Sequence, residues 1–207
     1  MEQLRILVTN HHPIVRNGLR RLLERNSDLR VVGEAATSRE AIALAEYQRP
    51  DVVVLDVASH SVRGVDAVQT IASKAPKTRV VVLGTVADQG YVERAFDAGA
   101  CGYVLDDNAQ VDLLRAVFVV AAGGFFLSPA VSRTLIDDWN RTGTVEDSAL
   151  VERRKRLLSL LFEGRHEAEI ADMLLISEAQ AHSECEDVRD SVQRYTLSKA
   201  LRCSRTN

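Results

Sequence analysis

Short runs of β-branched and apolar residues alternate along the first half of the chain with longer segments of helical period. The apolar runs cover residues 6–8, 30–32, 52–55, 80–83 and 103–105, and their unbroken character predicts strands buried on both faces. Between them, apolar residues recur near i, i+3, i+4 and i+7, which predicts helices over residues 14–24, 38–47, 65–73, 89–98 and 110–121. Five such units predict an α/β fold with a doubly wound, five-stranded parallel sheet, whose functional cleft lies at the carboxyl ends of the strands.

The pattern changes after Gly123 and Gly124, where the strand-like runs stop. A short helical stretch opens at Ser128-Pro129, and the polar residues 140–144 suit a linker. Beyond them, helical period predicts helices over residues 150–162, 168–174, 177–192 and 195–201. We therefore predict a first domain over residues 1–124, a linker with a short helix over 125–147, and a small all-α domain over 148–207.

Composition restricts the classes of function. The 207 residues include 46% hydrophobic and 27% charged side chains with a formal net charge of -3, so only a local basic patch would attract nucleic acid. Cys101, Cys185 and Cys203 form no CxxC pair, which argues against a disulfide framework or a zinc cluster and favours the cytoplasm. The longest apolar run, residues 116–127, is shorter than the about 20 residues that cross a bilayer, so we expect no membrane span.

Several motifs follow one another in order along both predicted domains. The first domain contains RILV at 5–8, HPIVR at 12–16, DVVVLD at 51–56 with Gly64 beyond, AGACGYVL at 98–105 and LSP at 127–129. The second contains LLFEG at 160–164, EIA at 169–171 and ISE at 176–178. Together these motifs resemble the NarL/FixJ response regulators of two-component signalling, which join a flavodoxin-like receiver domain to a LuxR-type helix-turn-helix domain that regulates transcription.

The resemblance implies a receiver that accepts a phosphoryl group on an aspartate at the end of its third strand. In the family, magnesium, a hydroxyl side chain and a lysine assist this phosphorelay step. Asp56 matches the acceptor position. The supporting positions differ: Asn10 and His11 replace two magnesium-binding acids, Gly84 replaces the hydroxyl residue, and Asp106 replaces the lysine.

These replacements remove the contributions on which phosphoryl transfer depends, namely positioning and charge neutralisation. Magnesium prefers carboxylate oxygens, and Asp106 would repel an acyl phosphate instead of pairing with it. Thr85 follows Gly84, but its side chain points to the opposite face of the strand. Tyr103 matches the family's aromatic switch position without a hydroxyl residue opposite it, and we interpret it as a packing or interface aromatic. We expect no resident cofactor, weak magnesium binding and little phosphorylation.

The altered pocket has two further interpretations. His11, His12 and His60 would combine with nearby carboxylates as ligands of a transition metal such as zinc. The simpler expectation, which we favour, is that Asn10 or His11 hydrogen-bonds Asp56 and makes a fixed, metal-free pocket.

The second domain departs from its family in the same direction. The second helix of a helix-turn-helix motif enters the major groove and contacts phosphates and bases through basic and polar side chains. Gln180, His182, Glu184 and Asp187 occupy the matching places. Residues 178–190 contain five acidic side chains and one arginine, so DNA phosphates would repel this helix.

One basic cluster offers a different DNA contact. It consists of Arg153, Arg154, Lys155 and Arg156. A solvated helix face is the commoner explanation of such a cluster, but it remains the candidate for phosphate contact, beside Gln180 and His182 in the acidic helix.

These observations lead to one principal hypothesis and two alternatives. The chain is expected to be a non-enzymatic signalling or transcription regulator that acts without phosphorylation, as a homodimer, through contacts with an unknown protein and only weakly through DNA. The first alternative is a true DNA-binding transcription factor that uses residues 153–156 and dimerisation. The second is a sensor whose altered Asp56 pocket takes a small ligand or a metal ion.

Overall fold

A computed structural model describes residues 3–57, 62–85, 88–132, 156–157, 159–161 and 165–186. The chain divides into two compact units, Met1–Ser128 and Pro129–Asn207.

The first unit contains a six-stranded parallel sheet with strands in the order β2-β1-β3-β4-β5-β6. The strands are β1 (Leu4–Thr9), β2 (Leu29–Ala35), β3 (Val52–Asp56), β4 (Arg79–Gly84), β5 (Gly102–Leu105) and β6 (Phe126–Leu127). The prediction of five strands was therefore one strand short. Two residues are too few to show a period, yet Phe126 pairs with Gly102 and extends the sheet, so the first unit ends after Ser128 and not at residue 124.

The helices of this unit lie at the predicted positions. They are α1 (Pro13–Leu23), α2 (Ser38–Gln48), α3 (Val62–Lys74), α4 (Gln89–Asp97) and α5 (Ala109–Ala121), and a 3₁₀ turn at Asp106–Asn108 precedes α5. Local chemistry fixes two of their starts: the Thr37 hydroxyl accepts the Glu40 N–H of α2, and the Asp88 carboxylate accepts the Tyr91 N–H of α4 over 2.7 Å. The alternation of strand and helix confirms the predicted α/β class.

The central strands form the core of the first unit. Every residue of β3 from Val52 to Leu55 is completely buried, as are Val80, Val81 and Val82 of β4. Burial on both faces explains why these strands lack polar alternation in the sequence. Polar residues are found only at the ends of these two strands, where Arg79 begins β4 and Asp56 ends β3.

A buried polar connection fixes the end of β5. The Ser128 hydroxyl donates to the Asp112 carboxylate over 2.6 Å and accepts the backbone N–H of Leu105 over 3.1 Å. The hydroxyl links the end of β5 to α5 and to the segment after β6. It therefore positions the 3₁₀ turn that begins at the next residue, Asp106.

The described part of the second unit is helical. It includes α6 (Glu167–Leu174) and helical residues 129–132 and 178–186, which overlap the predicted helices at 168–174 and 177–192. Ser177 caps the later helix, because its hydroxyl accepts the Gln180 N–H over 3.2 Å. The predicted helix at 195–201 and most of the one at 150–162 lie outside the described residues. Among the helices that are described, none is long and apolar enough to cross a membrane.

Candidate functional site

The residues that the sequence predicted for one pocket lie at one edge of the sheet. Asn10 directly follows β1, Asp56 ends β3, Gly84 ends β4 and Asp106 directly follows β5. These strands are parallel neighbours, so their carboxyl ends meet at the same edge. The fold thus gathers the Asp56 pocket, by which we mean Asn10, His11, Asp56 and Asp106.

Asn10 provides the shortest contact that Asp56 makes in the described structure. Its side-chain Nδ2 donates to Asp56 Oδ2 over 2.7 Å, and its Oδ1 accepts the backbone N–H of His12 over 2.8 Å. A backbone N–H can only donate, so this second bond fixes which end of the amide faces Asp56. Asn10 therefore presents hydrogen-bond donors, and not a metal-binding oxygen, to the acceptor position.

Arg16 holds the loop that carries Asn10. Its Nη1 donates to the Asn10 carbonyl over 2.8 Å, and its Nε donates to Glu34 Oε2 of β2 over 3.1 Å. This role of Arg16 was not predicted from the sequence, although Arg16 ends the HPIVR motif and lies one helical turn after His12. The arginine joins the start of α1 to the end of β2 through the residue that contacts Asp56.

His11 lies beside Asp56 without a close hydrogen bond. Its Nδ1 is 3.7 Å from Asp56 Oδ2, beyond hydrogen-bond distance but within reach of an ion pair when the imidazole is protonated. The His11 side chain is 57% exposed, whereas the Asp56 side chain is only 7% exposed. Asn10, and not His11, is the direct partner of the buried carboxylate.

Burial raises the pKa values of both carboxylates in the pocket. Burial raises the pKa of Asp56 above its ordinary value, and the neighbouring His11 and then His12 partly oppose this rise. The pKa of Asp106 is raised to about 6, first by desolvation, then by the charge of Asp56, then by Asp107. Asp106 therefore adds negative charge near Asp56, at the position where the family has a lysine.

The donor set does not fit magnesium. This cation needs several oxygen ligands, usually carboxylates, in near-octahedral geometry. The Asn10 oxygen is already bonded to a backbone N–H, its amide hydrogens face Asp56, and His11 offers an imidazole. Within the described residues, no group of three or more His, Cys, Asp or Glu side chains is arranged to hold a metal ion, and His60 lies outside them.

Gly84 and Tyr103 lie against each other on neighbouring strands. A Cβ added to Gly84 would overlap the Tyr103 hydroxyl and lie 2.6 Å from its Cζ atom. Tyr103 is only 2% exposed, and burial raises the pKa of its hydroxyl. The phenol thus occupies the space that a side chain at position 84 would need. Thr85, next along the chain, is exposed.

Gln180 and His182, the candidates for DNA contact in the helix at residues 178–186, both contact glutamate side chains. His182 Nδ1 is 2.7 Å from Glu167 Oε2, and Gln180 Nε2 donates to Glu184 Oε1 over 3.0 Å. Of the basic cluster, Arg156 is described and is exposed, whereas Arg153, Arg154 and Lys155 lie outside the described residues, as does Asp187. The described part of this helix presents carboxylates around the side chains that would read bases.

Comparisons with known proteins agree with this architecture. Residues 6–118 match the response regulator receiver domain family. The nitrate/nitrite response regulator protein NarL of Escherichia coli K12 is 33% identical over 181 residues, which cover 86% of this chain and 84% of NarL. The DNA-binding transcriptional activator DevR/DosR of Mycobacterium tuberculosis is 33% identical over 177 residues, covering 84% of this chain and 82% of that protein.

Solved structures give the same result. A LuxR-family two-component response regulator from Aurantimonas sp. SI85-9A1 superposes with a TM-score of 0.63 at 32% identity, covering 66% of this chain and 98% of that one. RcsB of Salmonella typhimurium shares the fold over 96% of this chain and 99% of its own, with a TM-score of 0.61 at 24% identity. The chain therefore belongs to the response regulators of the NarL/LuxR type and carries a receiver domain at residues 6–118.

Proposed function

We propose that this response regulator controls transcription from a receiver that works without phosphorylation of Asp56. The observation that carries the proposal is the hydrogen bond from Asn10 Nδ2 to Asp56 Oδ2, in an amide whose orientation is fixed by the His12 N–H. This bond places a neutral donor where phosphoryl transfer needs a metal-bound carboxylate. Asp106 adds an anion where the transfer needs a cation.

We further propose that the output domain acts chiefly through protein contacts and binds DNA weakly. The side chains of Gln180 and His182, which would face bases, are engaged by Glu184 and Glu167. DNA affinity depends largely on neutralising phosphates, and carboxylates in this helix oppose it. In this proposal the receiver extends to Ser128, a linker covers 129–147, residues 148–207 form the LuxR-type domain, and the chain is a cytoplasmic homodimer without a catalytic step of its own.

A second candidate function is ordinary DNA-binding activation. It is favoured by the 33% identity to a protein named a DNA-binding transcriptional activator, and by the basic cluster at residues 153–156. Salt-dependent binding to promoter DNA that neutralisation of Arg153, Arg154 and Arg156 weakens would support this candidate. Absence of binding at low salt would exclude it.

The effect of beryllofluoride, a phosphoryl mimic, tests the proposal for the receiver. Amide NMR spectra and the sedimentation of the full chain are recorded with magnesium alone and with magnesium plus beryllofluoride. The proposal predicts identical spectra and one oligomeric state in both samples. Spectral changes around Asp56 together with a shift in oligomeric state would contradict it.

A further inference from the structure

Two tyrosines and two glycines interlock beside the Asp56 pocket. Tyr103 of β5 fills the space above Gly84 of β4, and Tyr91 of α4 fills the space above Gly64 of α3. A Cβ added to Gly64 would lie 2.8 Å from the Tyr91 hydroxyl oxygen and 2.6 Å from Val57 Cγ1. Real Cβ atoms do not approach other atoms so closely, so the Tyr103 phenol leaves no room for a side chain at position 84, and Val57 and the Tyr91 phenol together leave none at position 64.

The two rings also contact each other. The centroids of Tyr91 and Tyr103 are 6.4 Å apart with an angle of 69° between the ring planes, a T-shaped arrangement that aromatic pairs favour. Tyr91 is 3% exposed and Tyr103 is 2% exposed. A continuous series of contacts therefore runs from Gly84 through Tyr103 and Tyr91 to Gly64, and joins β4, β5, α4 and α3.

We infer that this interlock, Gly84–Tyr103–Tyr91–Gly64, holds the receiver in one conformation with Tyr103 turned inward, whatever the state of Asp56. An aromatic side chain can turn inward only when the space beneath it is free. Glycine at position 84 leaves that space free permanently, whereas a larger side chain would have to move away first. The face formed by α4 and β5 is then presented in a fixed form without a signal at the pocket.

The substitution Gly84→Ser tests the interlock directly. Tetranitromethane nitrates accessible tyrosines, and mapping by mass spectrometry follows Tyr103 and Tyr91, with Tyr47, which is 88% exposed, as the internal reference. In the unaltered chain, we expect Tyr47 to react and Tyr103 to be protected. Gly84→Ser is expected to lower Tm and to raise the nitration of Tyr103 towards that of Tyr47.

Gly18→Ser is the matched control, because nothing lies within 4 Å of a Cβ added at Gly18. It should leave both Tm and the protection of Tyr103 nearly unchanged. The double variant Gly84→Ser/Tyr103→Leu covers the possibility that Gly84→Ser does not fold. If the loss is steric, the smaller side chain at position 103 restores folding and Tm to the level of Tyr103→Leu alone.

Asp56→Asn separates this inference from the proposed function. The interlock predicts that Asp56→Asn leaves the protection of Tyr103 unchanged, and a rise in Tyr103 nitration would overturn it. Nitration of Tyr103 at the rate of Tyr47 in the unaltered chain would also overturn it, as would a Gly84→Ser variant that behaves like Gly18→Ser. A double variant whose Tm is as low as that of Gly84→Ser would likewise overturn the inference. None of these results depends on whether Asp56 accepts phosphate.

Discussion

The Asn10 side chain lies between two fixed partners: it donates to Asp56 Oδ2 over 2.7 Å and accepts the His12 N–H over 2.8 Å. Both ends of the amide are therefore committed. A carboxylate at this position would have to accept the His12 N–H and also face the Asp56 carboxylate, which like charges disfavour. The identity of residue 10 thus decides whether Asp56 meets a hydrogen-bond donor or a second acid.

Removal of this amide should destabilise the receiver. Asn10→Ala leaves the 93% buried Asp56 side chain and the His12 N–H without their partner, and the expected loss is about 1 to 3 kcal/mol of unfolding free energy. Urea denaturation measures this loss. Asn17→Ala, at an exposed position of α1, is the control and should change the unfolding free energy by less than about 0.5 kcal/mol. Equal losses in the two variants would contradict the role of Asn10.

The raised pKa of Asp106 predicts a pH dependence of stability. Between its ordinary value and about 6, the folded state retains the proton more strongly than the unfolded state, so this group lowers stability as the pH rises through that window. Asp106→Asn should therefore raise Tm at pH 7 and have little effect at pH 4. The side chain is exposed and solvent screens its charge, so we expect a rise of only about 1 to 2 °C.

Thermal unfolding at both pH values measures the difference. Asp66→Asn is the control, because Asp66 is an exposed acid on α3 that is not a member of the Asp56 pocket. It should leave the pH dependence as it is. If Asp106→Asn has the same pH profile as the unaltered chain, burial and the charge of Asp56 do not raise the pKa of this carboxyl.

The acidic neighbours of Gln180 and His182 predict a gain of DNA affinity when they are neutralised. In Glu167→Gln/Glu184→Gln, both candidate side chains lose an anionic partner, and one negative charge is removed from α6 and one from the helix at residues 178–186. Non-specific affinity for duplex DNA at low salt should rise by about tenfold, with a steeper dependence on salt. Fluorescence anisotropy measures both quantities.

A matched variant separates a local effect from one of net charge. Glu24→Gln/Glu46→Gln removes two negative charges from the receiver, one at the end of α1 and one in α2. DNA affinity should then stay at the level of the unaltered chain. If both double variants gain affinity equally, the arrangement around Gln180 and His182 has no special part in weak DNA binding.

The sequence predicted the fold well where hydrophobic pattern alone determines it. The buried residues of β3 and β4 are continuous apolar runs, and the helices between them begin within three residues of the predicted positions. The missed strand, Phe126–Leu127, is stabilised by pairing with Gly102 and Tyr103, which are more than 20 residues away in the chain. A long-range contact of this kind leaves no local period.

The sequence predicted which residues meet in the pocket, but it did not predict all of the contacts between them. Parallel strands dictate that Asn10, Asp56 and Asp106 meet, and the sequence left open whether Asn10 or His11 bonds Asp56. The structure places Asn10 there, because the His12 N–H orients its amide. The resemblance placed Gly84 opposite Tyr103, but it did not predict that the phenol fills the space above the glycine. This contact depends on the register of β4 and β5, in which Val82 and not Gly84 pairs with Tyr103.

Phosphorylation of Asp56 is the most direct test of this account. The unaltered chain and Asn10→Asp/His11→Asp/Asp106→Lys, which restores the family's acids and lysine, are incubated with acetyl phosphate and magnesium, and intact mass is recorded. We expect no phosphoryl adduct on the unaltered chain and an adduct on the restored variant that Asp56→Asn abolishes. A stable adduct on the unaltered chain that Asp56→Asn removes would contradict it.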